Sequence, residues 1–196
     1  MSVTEILGFV TGALCVVLVV RCSIWNWPAG LANNGFYLVL FAEAGLYADA
    51  GLQIVYLALG VYGWWAWLHG GPDRSTLVIQ RTTRQQAAIF AGATLVGAIA
   101  MALLLNGLTD STVPWADGLT TTLSLVAQWM LTRKLLENWW VWIVADVLYV
   151  GLYIYKDLYV TAVLYGVFLV LCVLGLRAWR RVLIAAADRE PELAVA

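Results

Sequence analysis

Asn138, Trp142, Asp146, Tyr149 and Tyr153 recur three or four residues apart inside the apolar run NWWVWIVADVLYVGLY. On a helix turning 100° per residue they fall within an arc of about 80°, one stripe down one face. An amide, an indole, a carboxylate and two phenols in a row are groups for gripping a molecule, by hydrogen bonds and by the π-face of the indole. Bond-breaking chemistry finds little support. The chain has a single histidine, His69, no His-Glu-x-x-His zinc pattern, and no serine or cysteine with an evident base partner. Neither catalytic residues, nor a metal, nor a cofactor are expected, and the chain does not read as an enzyme.

A carboxylate near the middle of an apolar span costs roughly 2.5–3.5 kcal/mol if it faces lipid, so the stripe must face protein or a wet cavity. Two further stripes share its character: Asn26, Gly30, Asn34, Tyr37 and Phe41, and then Asp117, Thr121, Ser124, Gln128 and Thr132. Taken singly, such groups could serve as helix-to-helix hydrogen bonds worth ~0.6 kcal/mol each. Three coincident stripes favour a substrate pathway. Its candidate substrate-binding residues are Asn138, Trp142, Asp146, Tyr149, Gln128, Ser124, Asn33, Asn34 and Tyr37. Trp142 stands one turn inside its span, where its ring could stack on a planar ligand while Asn138 and Gln128 hydrogen-bond the ligand's substituents. The stripes contain no Lys or Arg to pair a phosphate, so a phosphorylated ligand should be rejected.

The elements that must hold these residues follow from composition. Of 196 residues, 63% are hydrophobic and 12% charged, which places the chain among integral membrane proteins. A span needs ~20 mostly apolar residues. Seven stretches qualify: about Glu5 to Val20, Trp27 to Gly45, Gly51 to His69, Gln85 to Asn106, Trp115 to Thr132, Trp139 to Tyr155 and Leu158 to Trp179. The first is preceded by Glu5 rather than by Lys or Arg, so it reads as a retained span and not a signal peptide. Cys15, Cys22 and Cys172 suggest neither disulfides nor a zinc site, and the net charge of −1 gives no expectation of a nucleic-acid partner.

Ten of the eleven Lys and Arg residues lie after odd-numbered spans, and only Lys156 breaks the pattern. Basic residues are retained on the cytoplasmic side, which predicts the N-terminus outside and the C-terminus inside.

A shift of 112 positions lays Asn26-Trp27 on Asn138-Trp139, and continues through Tyr37 on Tyr149, Leu46-Tyr47 on Leu158-Tyr159, Gly63 on Gly175 and Ala66-Trp67 on Ala178-Trp179. Spans one to three (about 4–69) and five to seven (about 115–181) are therefore two copies of one unit. The span at about 85–108 is a linker that restores the second copy to the orientation of the first, and 182–196 form a cytoplasmic tail. This is an all-α plan of 3+1+3 transmembrane helices in parallel repeat, SWEET-like, with the substrate held near the midplane between the halves. The copies differ where Trp142 lies on Gly30 and Gln128 on Val16, so the pocket should be asymmetric, suited to a flat aromatic ligand with polar substituents.

Tryptophans at span ends are commonly interfacial anchors. Trp25, Trp64, Trp65, Trp67, Trp115, Trp140 and Trp179 are read that way. Pro28 fits plain helix initiation, and Gly60, Gly63, Gly166 and Gly175 fit close helix approach.

The stretches WNWPAGLANNGFYLVLF, LYADAGLQIVYLALGVYGWWAW and ENWWVWIVADVLYVGLYIYKDLYVTAVLY resemble the PnuC-type vitamin transporters, a family of nicotinamide riboside and nicotinamide mononucleotide transporters. The resemblance runs from about Arg21 over nearly the whole chain. It implies the seven-helix SWEET-like fold, facilitated diffusion of nicotinamide riboside across the cell membrane, and functional coupling to a cytoplasmic riboside kinase that traps the product. The family's N-x-x-x-W pattern at the pyridine end of the ligand matches Asn138 and Trp142. Related members carry thiamine or riboflavin, and those cargoes stay open here, as does a homo-oligomer in the lipid bilayer. So does a proton-coupled version, which would rest on Asp146 and Glu43.

Overall fold

The structure is a computed structural model that describes residues 3–43, 45, 47–108 and 112–188. Among these, seven α-helices follow one another: α1 (Val3–Val20), α2 (Asn26–Glu43), α3 (Tyr47–His69), α4 (Arg84–Leu108), α5 (Pro114–Thr132), α6 (Asn138–Tyr155) and α7 (Tyr159–Ala187). The chain is an all-α, multi-pass membrane protein. The observed bounds lie close to the seven expected stretches except at the end. There α7 continues beyond Trp179 to Ala187, so the first residues of the expected tail are helical. Among the described residues, α3, α4 and α7 are long and apolar enough to cross a membrane by length and composition alone. Polar residues such as Asn26, Asn33 and Asn34 in α2 and Thr120, Ser124 and Gln128 in α5 dilute those two helices.

The packing follows the repeat. Within the two units, α1 lies on α2 and α2 on α3, as α5 lies on α6 and α6 on α7. Between the units the partners are exchanged: α1 packs against α7, and α5 against α3. Each unit thus lends its first helix to the third helix of the other. Helix α4 packs on α5, where Thr122 meets Gly97 and Ala102 meets Gly118, while Leu95, Val96 and Leu103 face outward.

Side-chain detail repeats with the same offset. Trp27 lies edge-on to Trp67, centroids 5.4 Å apart at 88°, and Trp139 lies edge-on to Trp179 at 5.5 Å and 89°. A Cβ added to Gly63 would come 2.1 Å from Trp27 Cη2, and one added to Gly175 2.4 Å from Trp139 Cη2. These glycines exist to admit the indoles. Gly60 is similarly close to Leu31, but Gly166 has open space around it, so close helix approach does not explain that position. The left-handed backbone at Cys22 (φ 51°) recurs at Lys134 (φ 48°), and that at Gly45 (φ 75°) recurs at Asp157 (φ 58°).

Trp67 and Trp179 are 2% and 0% exposed, which corrects their reading as interfacial anchors. They form the core with Trp27, Trp139, Val19 and Leu131. Trp25, Trp65, Trp115 and Trp140, by contrast, are well exposed. The α3–α4 connection, which includes a 3₁₀ turn at Pro72–Arg74, runs across the α5–α6 turn. Gln80 N–H donates to the Lys134 carbonyl, Leu136 N–H to the Gln80 carbonyl, and Thr82 N–H to Glu137 Oε2.

Candidate functional site

The six helices other than α4 enclose a cavity of about 390 Å³, within the range of small-molecule sites. All nine candidate residues line it: Asn33, Asn34 and Tyr37 from α2, Ser124 and Gln128 from α5, and Asn138, Trp142, Asp146 and Tyr149 from α6. The lining is nearly closed under the 112-residue shift, since among its residues only Cys15, Leu31 and Asn33 lack a repeat mate there. The ends of the three stripes fall outside it. Phe41 stacks on Tyr37, Tyr153 packs against Tyr149 and Tyr165, and Thr132 donates to the Trp129 carbonyl. Asp117 pairs with Lys156 at 3.7 Å, which gives the one out-of-pattern basic residue a partner.

Asn138 is fully buried, and its Nδ2 donates to the Leu135 carbonyl at 2.6 Å. A carbonyl cannot accept from Oδ1, so the amide orientation is forced. Oδ1 is then left with no partner among the described residues. The mate Asn26 makes the same local bond, Nδ2 to the Ser23 carbonyl at 2.7 Å. The buried indole N–H groups of Trp27 and Trp139 also lack partners among the described residues, and all three atoms sit on residues that line the cavity.

Asp146 is 4% exposed and accepts a hydrogen bond from the Cys172 thiol on α7 at 3.4 Å. Glu43, by contrast, is exposed at the end of α2 and does not line the cavity. Ser124 lies 3.5 Å from the Tyr149 hydroxyl, and donates to the Thr120 carbonyl. Asn33 donates from Nδ2 to Thr11 Oγ1 on α1.

Residues on the third helix of each unit were missed: Gln53 and Tyr56 on α3, with their mates Tyr165 and Phe168 on α7, and Cys172, the mate of Gly60. Tyr165 sits 4.7 Å from Tyr149 and 5.0 Å from Tyr153 by ring centroids, forming an aromatic wall. The signal available was the single glutamine in the apolar run of α3, three residues before Tyr56.

The cavity lies between paired helical units, where transporters built from internal repeats hold their substrates. The family model described as nicotinamide mononucleotide transporter matches residues 2–181. The chain belongs to this family. Its fold is similar to the crystal structure of the vitamin B3 transporter PnuC, with a TM-score of 0.69 and 27% identity, covering 89% of this chain and 79% of that one. It is 26% identical to the nicotinamide riboside transporter PnuC of Escherichia coli, over 91% of this chain and 85% of the relative. It is also 29% identical to the riboflavin/roseoflavin transporter RibM of Streptomyces davaonensis, over 90% and 84%. This PnuC-family member is thus a membrane transporter of a small vitamin molecule rather than an enzyme.

Proposed function

We propose that this transporter imports nicotinamide riboside by facilitated diffusion, the cavity opening alternately to either side as the two three-helix units rock about each other. The observation that carries the reading is the cavity lining itself, in which Asn138 and Trp142 stand one turn apart on α6 and are joined by Asn34 and Gln128. A pyridine ring stacked on Trp142 would bring its carboxamide toward the Asn138 side chain, and the amides of Asn34 and Gln128 would serve the ribose hydroxyls. The nine candidate residues are the proposed substrate-binding set. The cationic loops set the N-terminus outside, and a cytoplasmic riboside kinase would make uptake one-way. Saturable uptake into liposomes containing this protein alone, competed by the riboside but not by its phosphate, is the expected result. Uptake of the phosphate equal to that of the riboside would refute the reading, because the lining has no Lys or Arg to hold it.

Riboflavin is the second reading, favoured by the 29% identity to a riboflavin/roseoflavin transporter. Competition by riboflavin and not by the riboside would establish it.

A further inference from the structure

Helix α7 carries a charge pattern that its repeat partner lacks. Val163, Val167, Val170 and Leu174 are well exposed, and at 100° per residue they share an arc of about 80° with Arg177 and Arg181. The face that meets acyl chains along the span therefore ends on two exposed guanidinium groups. In α3 the positions equivalent to Arg177, Arg180 and Arg181 are Trp65, Leu68 and His69. The neighbouring helix brings a further arginine. Trp179 donates its indole N–H to the Val19 carbonyl, so this end of α7 lies against the end of α1, where Arg21 is exposed two residues beyond Val19. Among the described residues no carboxylate or other acceptor meets the guanidinium of Arg21, Arg177, Arg180 or Arg181, and the one ion pair, Asp117 with Lys156, lies toward the opposite end of α7. The equivalent edge of α3 and α5 differs on both counts. Its α3 positions are aromatic or apolar, and Arg133, the repeat mate of Arg21, is committed to the Tyr62 hydroxyl at 2.8 Å.

We propose that the α1–α7 edge binds the phosphodiester headgroup of an anionic phospholipid, whose acyl chains lie along Val163, Val170 and Leu174. A guanidinium fork pairs two phosphate oxygens, and basic groups between transmembrane helices at a membrane surface hold anionic headgroups. A zwitterionic lipid brings a choline cation to the same place, where the arginines repel it. A headgroup held by Arg21 and Arg177 touches both three-helix units at once, so it reinforces the seam made by Trp179 and Val19.

The test titrates phosphatidylglycerol and phosphatidylcholine of matched chains into the purified full-length transporter and counts bound lipid by native mass spectrometry. Phosphatidylglycerol is expected to bind at least about ten-fold more tightly and to raise the unfolding midpoint. In Arg177→Gln/Arg181→Gln the preference should fall to within about three-fold and the rise in midpoint should disappear, while Arg74→Gln/Arg84→Gln, at other sites on the same side of the helices, should retain both. Equal binding of the two lipids by the parent, an undiminished preference in Arg177→Gln/Arg181→Gln, or an equal loss in Arg74→Gln/Arg84→Gln would overturn the inference. So would displacement of the lipid by glycerol 1-phosphate at the same concentration, because the apolar stripe would then contribute nothing. If the double variant does not fold, Arg177→Gln alone decides, with an expected loss of at least about three-fold.

Discussion

Trp67 and Trp179, 112 residues apart, each send an indole N–H into the opposite unit: Trp67 Nε1 donates to the Leu131 carbonyl at 3.1 Å, and Trp179 Nε1 to the Val19 carbonyl at 3.0 Å. The acceptors are themselves 112 residues apart, and the two rings lie 6.2 Å from each other. The pair forms a reciprocal clasp joining α3 to α5 and α7 to α1. Replacing either tryptophan by phenylalanine keeps most of the apolar bulk but removes the hydrogen bond between the units, while the two carbonyls keep the backbone donors Lys134 N–H and Cys22 N–H. A loss of about 0.5–1.5 kcal/mol is expected for Trp67→Phe and for Trp179→Phe, read as a lowered unfolding midpoint in detergent. Unchanged midpoints in both variants would show that the clasp is not holding the units together.

Gly175→Ala should destabilise by about 1–3 kcal/mol, since its new Cβ would fall 2.4 Å from Trp139 Cη2 and one of the two must move. Gly63→Ala should behave alike against Trp27. Thermal unfolding of the two variants is expected to give similar losses, because the two contacts are copies of one another.

Gly30 gives the opposite separation of effects. A Cβ there meets nothing within 4 Å, and the residue lines the cavity opposite Trp142 in the repeat register. Gly30→Leu should leave stability unchanged or raise it by up to ~1 kcal/mol through helix propensity. Uptake should fall by at least about ten-fold as the side chain occupies the site. Normal uptake would remove Gly30 from the ligand's path.

Trp142→Ala removes the proposed stacking face. Binding of the riboside should weaken roughly ten-fold, with the unfolding midpoint little changed because Trp142 is only partly buried against the core. Full affinity in this variant would contradict the placement of the ring.

Lys134, in the turn between α5 and α6, sits 4.3 Å from the Trp67 ring centroid and donates to the Leu77 carbonyl at 2.7 Å. Burial holds its ammonium below the ordinary value of 10.5, with only the nearby Cys22 thiolate opposing. In the window between the lowered and ordinary values, the unfolded chain binds the proton more readily than the folded one. Stability from this group therefore rises with pH through that window and is flat below it. Cys22, pushed up by burial, acts with the opposite sign. In a Cys22→Ala background, unfolding midpoints measured from neutral to alkaline pH should climb relative to those of the same protein carrying Lys134→Met. Parallel curves would show that Lys134 is not desolvated.

Much of this architecture was readable because membrane spans are long and the repeat is rigid in register. Asn138, Trp142 and Asp146 announce themselves by being polar where lipid would punish them, and helical spacing alone puts them on one face. Trp67 and Trp179 were misread for a physical reason: a tryptophan at the end of a span looks the same whether it points outward to headgroups or inward to a neighbouring helix. Only the exchange of α1 and α5 between units decides which. Tyr165 and Phe168 escaped for a similar reason. Phe168 carries no contrast against an apolar helix, and the glutamine that marks the equivalent face of α3 is replaced in α7 by Tyr165, one of several aromatic residues there. The bridge from Gln80 to the α5–α6 turn depends on two loops far apart in sequence, and nothing local encodes it.

The reciprocal clasp also sets an order on biosynthesis. A nascent chain released into the bilayer up to α4 holds Trp67 with no carbonyl to bond, because Leu131 has yet to be translated. Val19 waits longer still, for a residue close to the end of the last helix. The amino-terminal half is thus an unfinished object during translation, exposed to degradation or mispairing until its sister half arrives, and the clasp closes only once α7 has been made.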